Sequence, residues 1–118
     1  MAPGRAKYSL ICNDDGGVID DLVAYRLGAD QFLVVANASN AGTVFAELTE
    51  RAAGFDVAVT DRSQTTALIA LQGPAAESIL LTLVPSAEAA TVQELKYYAA
   101  TTATVADPGS VGPHRIYR

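Results

Sequence analysis

Tyr8-Ser9-Leu10-Ile11-Cys12-Asn13-Asp14-Asp15-Gly16-Gly17-Val18-Ile19-Asp20-Asp21-Leu22-Val23-Ala24-Tyr25 sets an Asp-Gly pair between two apolar runs. Such a pair supplies the positive φ of a tight hairpin turn, so residues 7–12 and 18–27 are expected to be antiparallel strands. A two-residue loop at Asp15-Gly16 sets Cys12 opposite Ile19, Leu10 opposite Asp21 and Tyr8 opposite Val23. Side chains alternate along a strand, so Tyr8, Leu10, Cys12, Ile19, Asp21, Val23 and Tyr25 share one face. That face is apolar except for one carboxylate and two phenols. A carboxylate in such a place reaches a polar partner, pairs with a ligand cation or amine, or bears the cost of desolvation. Asp21 is therefore the candidate functional carboxylate, and Asp20, on the opposite face, is the ordinary one.

The same residues also have a plainer reading. Asp21 can bond to an amide or hydroxyl of its own sheet and touch no ligand. Tyr8 and Tyr25 can pack a sheet edge, since aromatics are favoured in strands, and Asn37 can serve as a loop or cap amide. Gly16-Gly17 is a turn pair, because no GxGxxG or GxxxxGK[ST] spacing surrounds it.

Working outward, Gly28-Ala29-Asp30 turns the chain into a third strand from Gln31 to Ala36, with the buried-type run Phe32-Leu33-Val34-Val35. Asn37-Ala38-Ser39-Asn40 offers caps for a helix from about residue 40 to 53, carrying Val44, Phe45, Leu48 and Ala52 and stopped by Gly54. Phe55–Thr60 and Thr66–Leu71 read as strands. Gly73-Pro74 opens a second helix, which Pro85 closes. Thr91–Leu95 stays unassigned, and Tyr97–Val105 reads as a final strand. The expected class is α+β, a largely antiparallel sheet with helices packed on one side.

The 118 residues allow one domain or part of a larger protein. Half are hydrophobic and 18% are charged, which is globular composition. Eight basic against thirteen acidic residues give a net charge of −5, and without a basic cluster nucleic acid is an unsuitable partner. Neither a signal peptide nor a bilayer-length apolar run is visible, so a cytoplasmic, membrane-free protein is expected. With a single cysteine, Cys12, and a single histidine, His114, no internal disulfide, Cys/His metal site or His-based triad is expected.

The opening stretch resembles the N-terminal region of the aminomethyltransferases, the T-proteins of the glycine cleavage system. Val34-Val35-Ala36-Asn37-Ala38-Ser39-Asn40 and Ala67-Leu68-Ile69-Ala70-Leu71-Gln72-Gly73-Pro74 resemble that family's next two motifs, and the likeness runs from about residue 3 to 106. Gly-Gly-Val-Ile-Asp-Asp-Leu is the specific part. The resemblance implies the folate-binding aminomethyltransferase fold. It also implies a reaction in which an aminomethyl group on the lipoyl arm of a carrier, the H-protein, releases ammonia while its one-carbon unit passes to tetrahydrofolate. By the same likeness Asp21 is the essential catalytic carboxylate, Tyr8 and Tyr25 line the folate pocket, and Val35 and Asn37 bond the pterin edge.

Members of that family are much longer and begin upstream of Tyr8, so residues 1–106 are expected to be a partial folate-binding domain with little or no turnover. Residues 107–118 look like nothing in the family. If Gly112–Arg118 were encoded GGC CCG CAC CGG ATA TAC CGG, reading one nucleotide later would give Ala-Arg-Thr-Gly-Tyr-Thr-Gly, the family's next motif. A frameshift near Asp107 is therefore the expected origin of the tail, testable on the gene sequence. Two other readings stand beside the transferase: a non-enzymatic folate-binding module, and an inactive structural fragment that self-associates through its open sheet edge and uncovered face.

Overall fold

The structure, a computed structural model, describes residues 1–107 and 110–118, with the backbone alone at 107 and 110–112. Pro108 and Gly109, which fall in the expected non-family tail, lie outside the described residues. Three strands, β1 (Ala6–Cys12), β2 (Val18–Arg26) and β3 (Phe32–Ala36), form a meander in that order. A 3₁₀ turn at Ala38–Asn40 leads into α1 (Ala41–Arg51). Then come α2 (Ala76–Leu81), a 3₁₀ turn at Ser86–Glu88, α3 (Ala89–Gln93), β4 (Ala100–Asp107) and β5 (Ser110–Tyr117). β4 and β5 pair antiparallel, from Ala100 opposite Tyr117 to Asp107 opposite Ser110. The class is α+β with antiparallel pairing, but in two sheets rather than the single sheet expected.

The first hairpin forms in this segment, but the expected two-residue loop at Asp15-Gly16, with Cys12 opposite Ile19, is corrected: a longer loop sets Asn13 opposite Gly17, and Ile19 packs against the core rather than sharing the open face. Gly16 N–H donates to the Asn13 carbonyl (3.0 Å) and Asn13 N–H to the Gly17 carbonyl (2.8 Å), so Asp14 and Asp15 are the central turn residues. Gly16, at φ +82°, takes the left-handed position that follows such a turn. The Asn13 side chain also accepts from Gly17 N–H at 2.6 Å.

Two compact units are present. The first contains Tyr8–Ala24 and Leu33–Leu68. Its core is Ile11, Leu22 and Val44, with Ile19, Ala24, Val34, Ala36 and Leu48 against it. Thus α1 covers one face of the meander with Val44 and Leu48, one helical turn apart. Arg51 ties the helix end down, donating to the Cys12 carbonyl at 2.6 Å and pairing with Glu47 at 2.8 Å. The second unit contains Met1–Lys7, Tyr25–Phe32 and Ile69–Arg118. Its core joins Val84, Val92 and Ala103 with Leu80, Leu81, Val105 and Ile116, so α2 and α3 back one face of the β4–β5 hairpin. Arg26 fixes a turn there, donating to the carbonyls of Met1, Gly28 and Ala29.

Several expectations are corrected. Phe55–Thr60 and Thr66–Leu71 are not strands: among the described residues no strand pairs with them, and an extended run without a partner leaves its backbone groups to water. The second helix starts at Ala76, with Gly73-Pro74 in the preceding turn, and spans six residues. Unassigned Thr91–Leu95 overlaps α3. The helix expected from residue 40 to 53 is the shorter α1, and Asn40 makes no side-chain cap bond there.

Candidate functional site

Strand alternation separates Asp20 from Asp21, and the helix decides which of them is buried. Because α1 packs on the face that holds Ile11 and Leu22, Asp20 points to the covered side and Asp21 to the open side. Asp20 is only 4% exposed, whereas Asp21 is exposed. This reverses the expectation that Asp20 is the ordinary carboxylate. Both hairpin faces carry apolar side chains, so only the docking of Val44 and Leu48 selects the core face.

Buried Asp20 is fully engaged. Its Oδ1 accepts from Asn37 Nδ2 and from Asn40 Nδ2, each at 2.9 Å, and its Oδ2 accepts from the Asn37 backbone N–H at 3.1 Å. These bonds, led by those from the Asn37 and Asn40 side chains, hold its carboxyl below the ordinary 3.8 against the opposing effect of burial. The amides expected to cap α1 through their oxygens instead turn their nitrogens to a carboxylate, to which an N–H bonds more strongly than to a neutral acceptor.

On the open face Tyr8, Asp21 and Asn37 meet. Tyr8 Oη donates to Asp21 Oδ2 at 2.9 Å. Asn37 Nδ2 donates to Asp21 Oδ1 at 2.9 Å and approaches the Asp21 carbonyl at 3.1 Å. The hydroxyl partner that the plainer reading assigned to Asp21 is thus present, and it is Tyr8. Val34 and Ala36 pack into the core, so alternation puts Val35 on the open face with Tyr8 and Asp21. Four of the five residues singled out in the sequence lie in one unit.

Tyr25 belongs to the other unit. There its ring stands 4.5 Å from that of Tyr117, centroid to centroid, and burial, with smaller effects from Tyr117 and Tyr98, pushes its phenol above the ordinary 10.0. Tyr25 also lines a hollow of about 190 Å³ with Tyr97, Tyr98 and Arg118. Asp20 and Asn40 are the residues that sequence reasoning missed. Their signal is an acidic residue one step out of phase with the chosen face, followed by an Asn-x-x-Asn loop after the next strand.

Chemically, the open-face cluster is an acceptor site. Asn37 commits its amide nitrogen to two carboxylates, which fixes the amide orientation and leaves Oδ1 as its remaining side-chain group. Asp21, with one bond to each oxygen, keeps lone pairs for further donors. A ring edge bearing several N–H groups complements that arrangement. Among the described residues no group of three or more His, Cys, Asp or Glu is placed to hold a metal ion, and no helix is long and apolar enough to cross a membrane.

Comparison with known proteins places these residues in a family. The GCVT N-terminal domain model matches residues 1–111. An aminomethyltransferase of Corynebacterium aurimucosum is 54% identical over 106 residues, covering 90% of this chain and 29% of the relative. One from Streptomyces coelicolor is 52% identical with 90% and 27% covered. One from Thermotoga maritima is 43% identical with 90% and 28% covered. The chain therefore spans less than a third of the length of these relatives. With a domain model matching nearly its whole length and aminomethyltransferases as its relatives, the chain belongs to the GCVT N-terminal domain family.

Proposed function

We propose that the chain carries the carboxylate-bearing part of a tetrahydrofolate site of the glycine cleavage system's aminomethyltransferase. In that reaction a lipoyl-bound aminomethyl group, presented by the H-protein, gives up ammonia, and its carbon passes to tetrahydrofolate, which supplies the accepting nitrogens. The supporting observation is the acceptor cluster of Asp21 and Asn37, braced by Tyr8. A pterin edge is rich in N–H donors, and this cluster offers it a carboxylate with spare lone pairs and an amide oxygen. Asp21 would orient the ring and counter positive charge developing on its nitrogens. Val35, on the same face, would offer the ring an apolar contact. The reading places the protein in the cytoplasm, where lipoyl carrier and reduced folate are available.

A non-enzymatic folate-binding role is the second reading. It is favoured by Tyr8, Asp21 and Asn37 all being held within one compact unit. Calorimetric titration with tetrahydrofolate tests the site. We expect binding that Asp21→Asn weakens roughly 10- to 100-fold, the range of a hydrogen bond to a charged group. Equal binding by parent and variant would refute the role given to Asp21. Ammonia release on adding an aminomethyl-loaded lipoyl carrier separates turnover from binding alone.

A further inference from the structure

We infer that Asp20 is a positioning residue, whose buried carboxylate sets the Asn37 side chain and, through it, the Asp21 carboxylate. In a strand Asp20 cannot reach a ligand on the Asp21 face, because neighbouring side chains point to opposite sides. It acts instead around the edge of the sheet. Asn37 is held by Asp20 at two points, its backbone N–H at 3.1 Å and its side-chain nitrogen at 2.9 Å. A single contact would leave the amide free to turn about its χ angles; two contacts remove that freedom. The same nitrogen stands 2.9 Å from Asp21 Oδ1. One amide thus bridges two adjacent carboxylates on opposite faces, and the inward one dictates where the outward one is met.

Asn40 supports the arrangement from the turn before α1. Its Nδ2 donates to Asp20 Oδ1 at 2.9 Å, so Asp20 itself is held while it holds Asn37. The geometry also fixes which end of Asn37 serves a ligand. With the nitrogen bound between carboxylates, the oxygen is presented, and a ligand read by this residue must offer a donor. If the Asp20 bonds were absent, the amide could flip and present N–H groups, reversing the preference.

The consequence for folate rests on the function proposed above, whereas the positioning does not, and the test keeps the two apart. The first readout is the side-chain amide of Asn37 in the ¹⁵N-labelled chain. In the parent its two protons should give separate signals that exchange slowly with water. In Asp20→Asn, with the core methyl signals of Ile11, Leu22 and Val44 unchanged, those signals should move together and exchange at least tenfold faster. Unchanged Asn37 signals in the folded variant would overturn the proposal. If Asp20→Asn does not fold, Asn40→Ala decides, since it removes one Asp20 contact and leaves Asn37 in place: a several-fold acceleration supports the positioning, and an unaltered rate overturns it. The second readout is tetrahydrofolate affinity, expected to fall about tenfold in Asp20→Asn. A parent chain that binds no tetrahydrofolate refutes the functional reading, while the amide signals still decide the role of Asp20.

Discussion

Asp20 and Asp21 are adjacent and chemically identical, and they end in opposite environments. The sequence shows that they must face opposite ways, because strand alternation is a local property, whereas the meeting of Tyr8 with Asp21 depends on how two strands pair. Nor does the sequence show which face is covered. Tyr8, Leu10 and Val23 are as apolar as Ile11, Leu22 and Ala24, so the choice depends on α1, which is remote in sequence. The burial of Asp20 carries a prediction. Its carboxyl is held below 3.8 by Asn37 and Asn40, so the folded state binds its proton less readily than the unfolded chain does. The resulting stabilisation is fully present above about pH 3.8 and is lost as pH falls through the lower folded value. Chemical denaturation from pH 6 to pH 2 should show an acid-dependent loss of stability that is smaller in Asp20→Asn. Parallel pH profiles for parent and variant would contradict this account of Asp20.

At the scale of elements, what was legible had its signal in a few neighbouring residues. The first hairpin follows from Asp-Gly chemistry, and α1 follows from the spacing of Val44 and Leu48, although it ends at Arg51, short of the stop expected at Gly54. Phe55–Thr60 and Thr66–Leu71 failed for a nonlocal reason. Their apolar runs suit strands, but a strand exists only with a neighbour to pair its backbone. Phe55 at 74% and Ile69 at 89% exposure lie outside both cores. In contrast Val44 is 2% exposed and central to its core. Val44→Ala should therefore destabilise the chain by about 1.5–3 kcal/mol through lost burial and a residual cavity. Urea unfolding followed by circular dichroism checks this. A change below about 0.5 kcal/mol, typical of a surface site, would mean that α1 does not rest on the meander through this residue.

The whole molecule has two small cores and much uncovered apolar surface. Tyr8, Leu10 and Val18 on the first hairpin are at least half exposed, as are Phe55, Val57, Leu68 and Ile69 farther along. Monomeric proteins seldom leave so many large apolar groups in water. We therefore predict self-association: light scattering should give a mass that rises with concentration above the 12.3 kDa of one chain. A mass fixed at that value over a hundredfold range of concentration would refute the prediction. The second unit shows how far sequence reading extends at this scale. The C-terminal segment, to which local pattern assigned no element, supplies β5, whose Ile116 packs with Val84, Val92 and Ala103. Local pattern had no means of assigning that pairing, because the register of Thr102 with Arg115 is set by two segments together.

Tyr8, Asp21 and Asn37 meet in one acceptor cluster, which is proposed above to read an N–H-bearing ring edge. The most direct test is to titrate tetrahydrofolate into the isotope-labelled chain and follow backbone and side-chain signals residue by residue. Saturable shifts centred on Tyr8, Asp21 and the Asn37 side-chain amide are expected, absent from an Asp21→Asn, Asn37→Ala double variant that retains the fold. Saturable shifts centred elsewhere, or no shifts at any tetrahydrofolate concentration, would contradict that proposal.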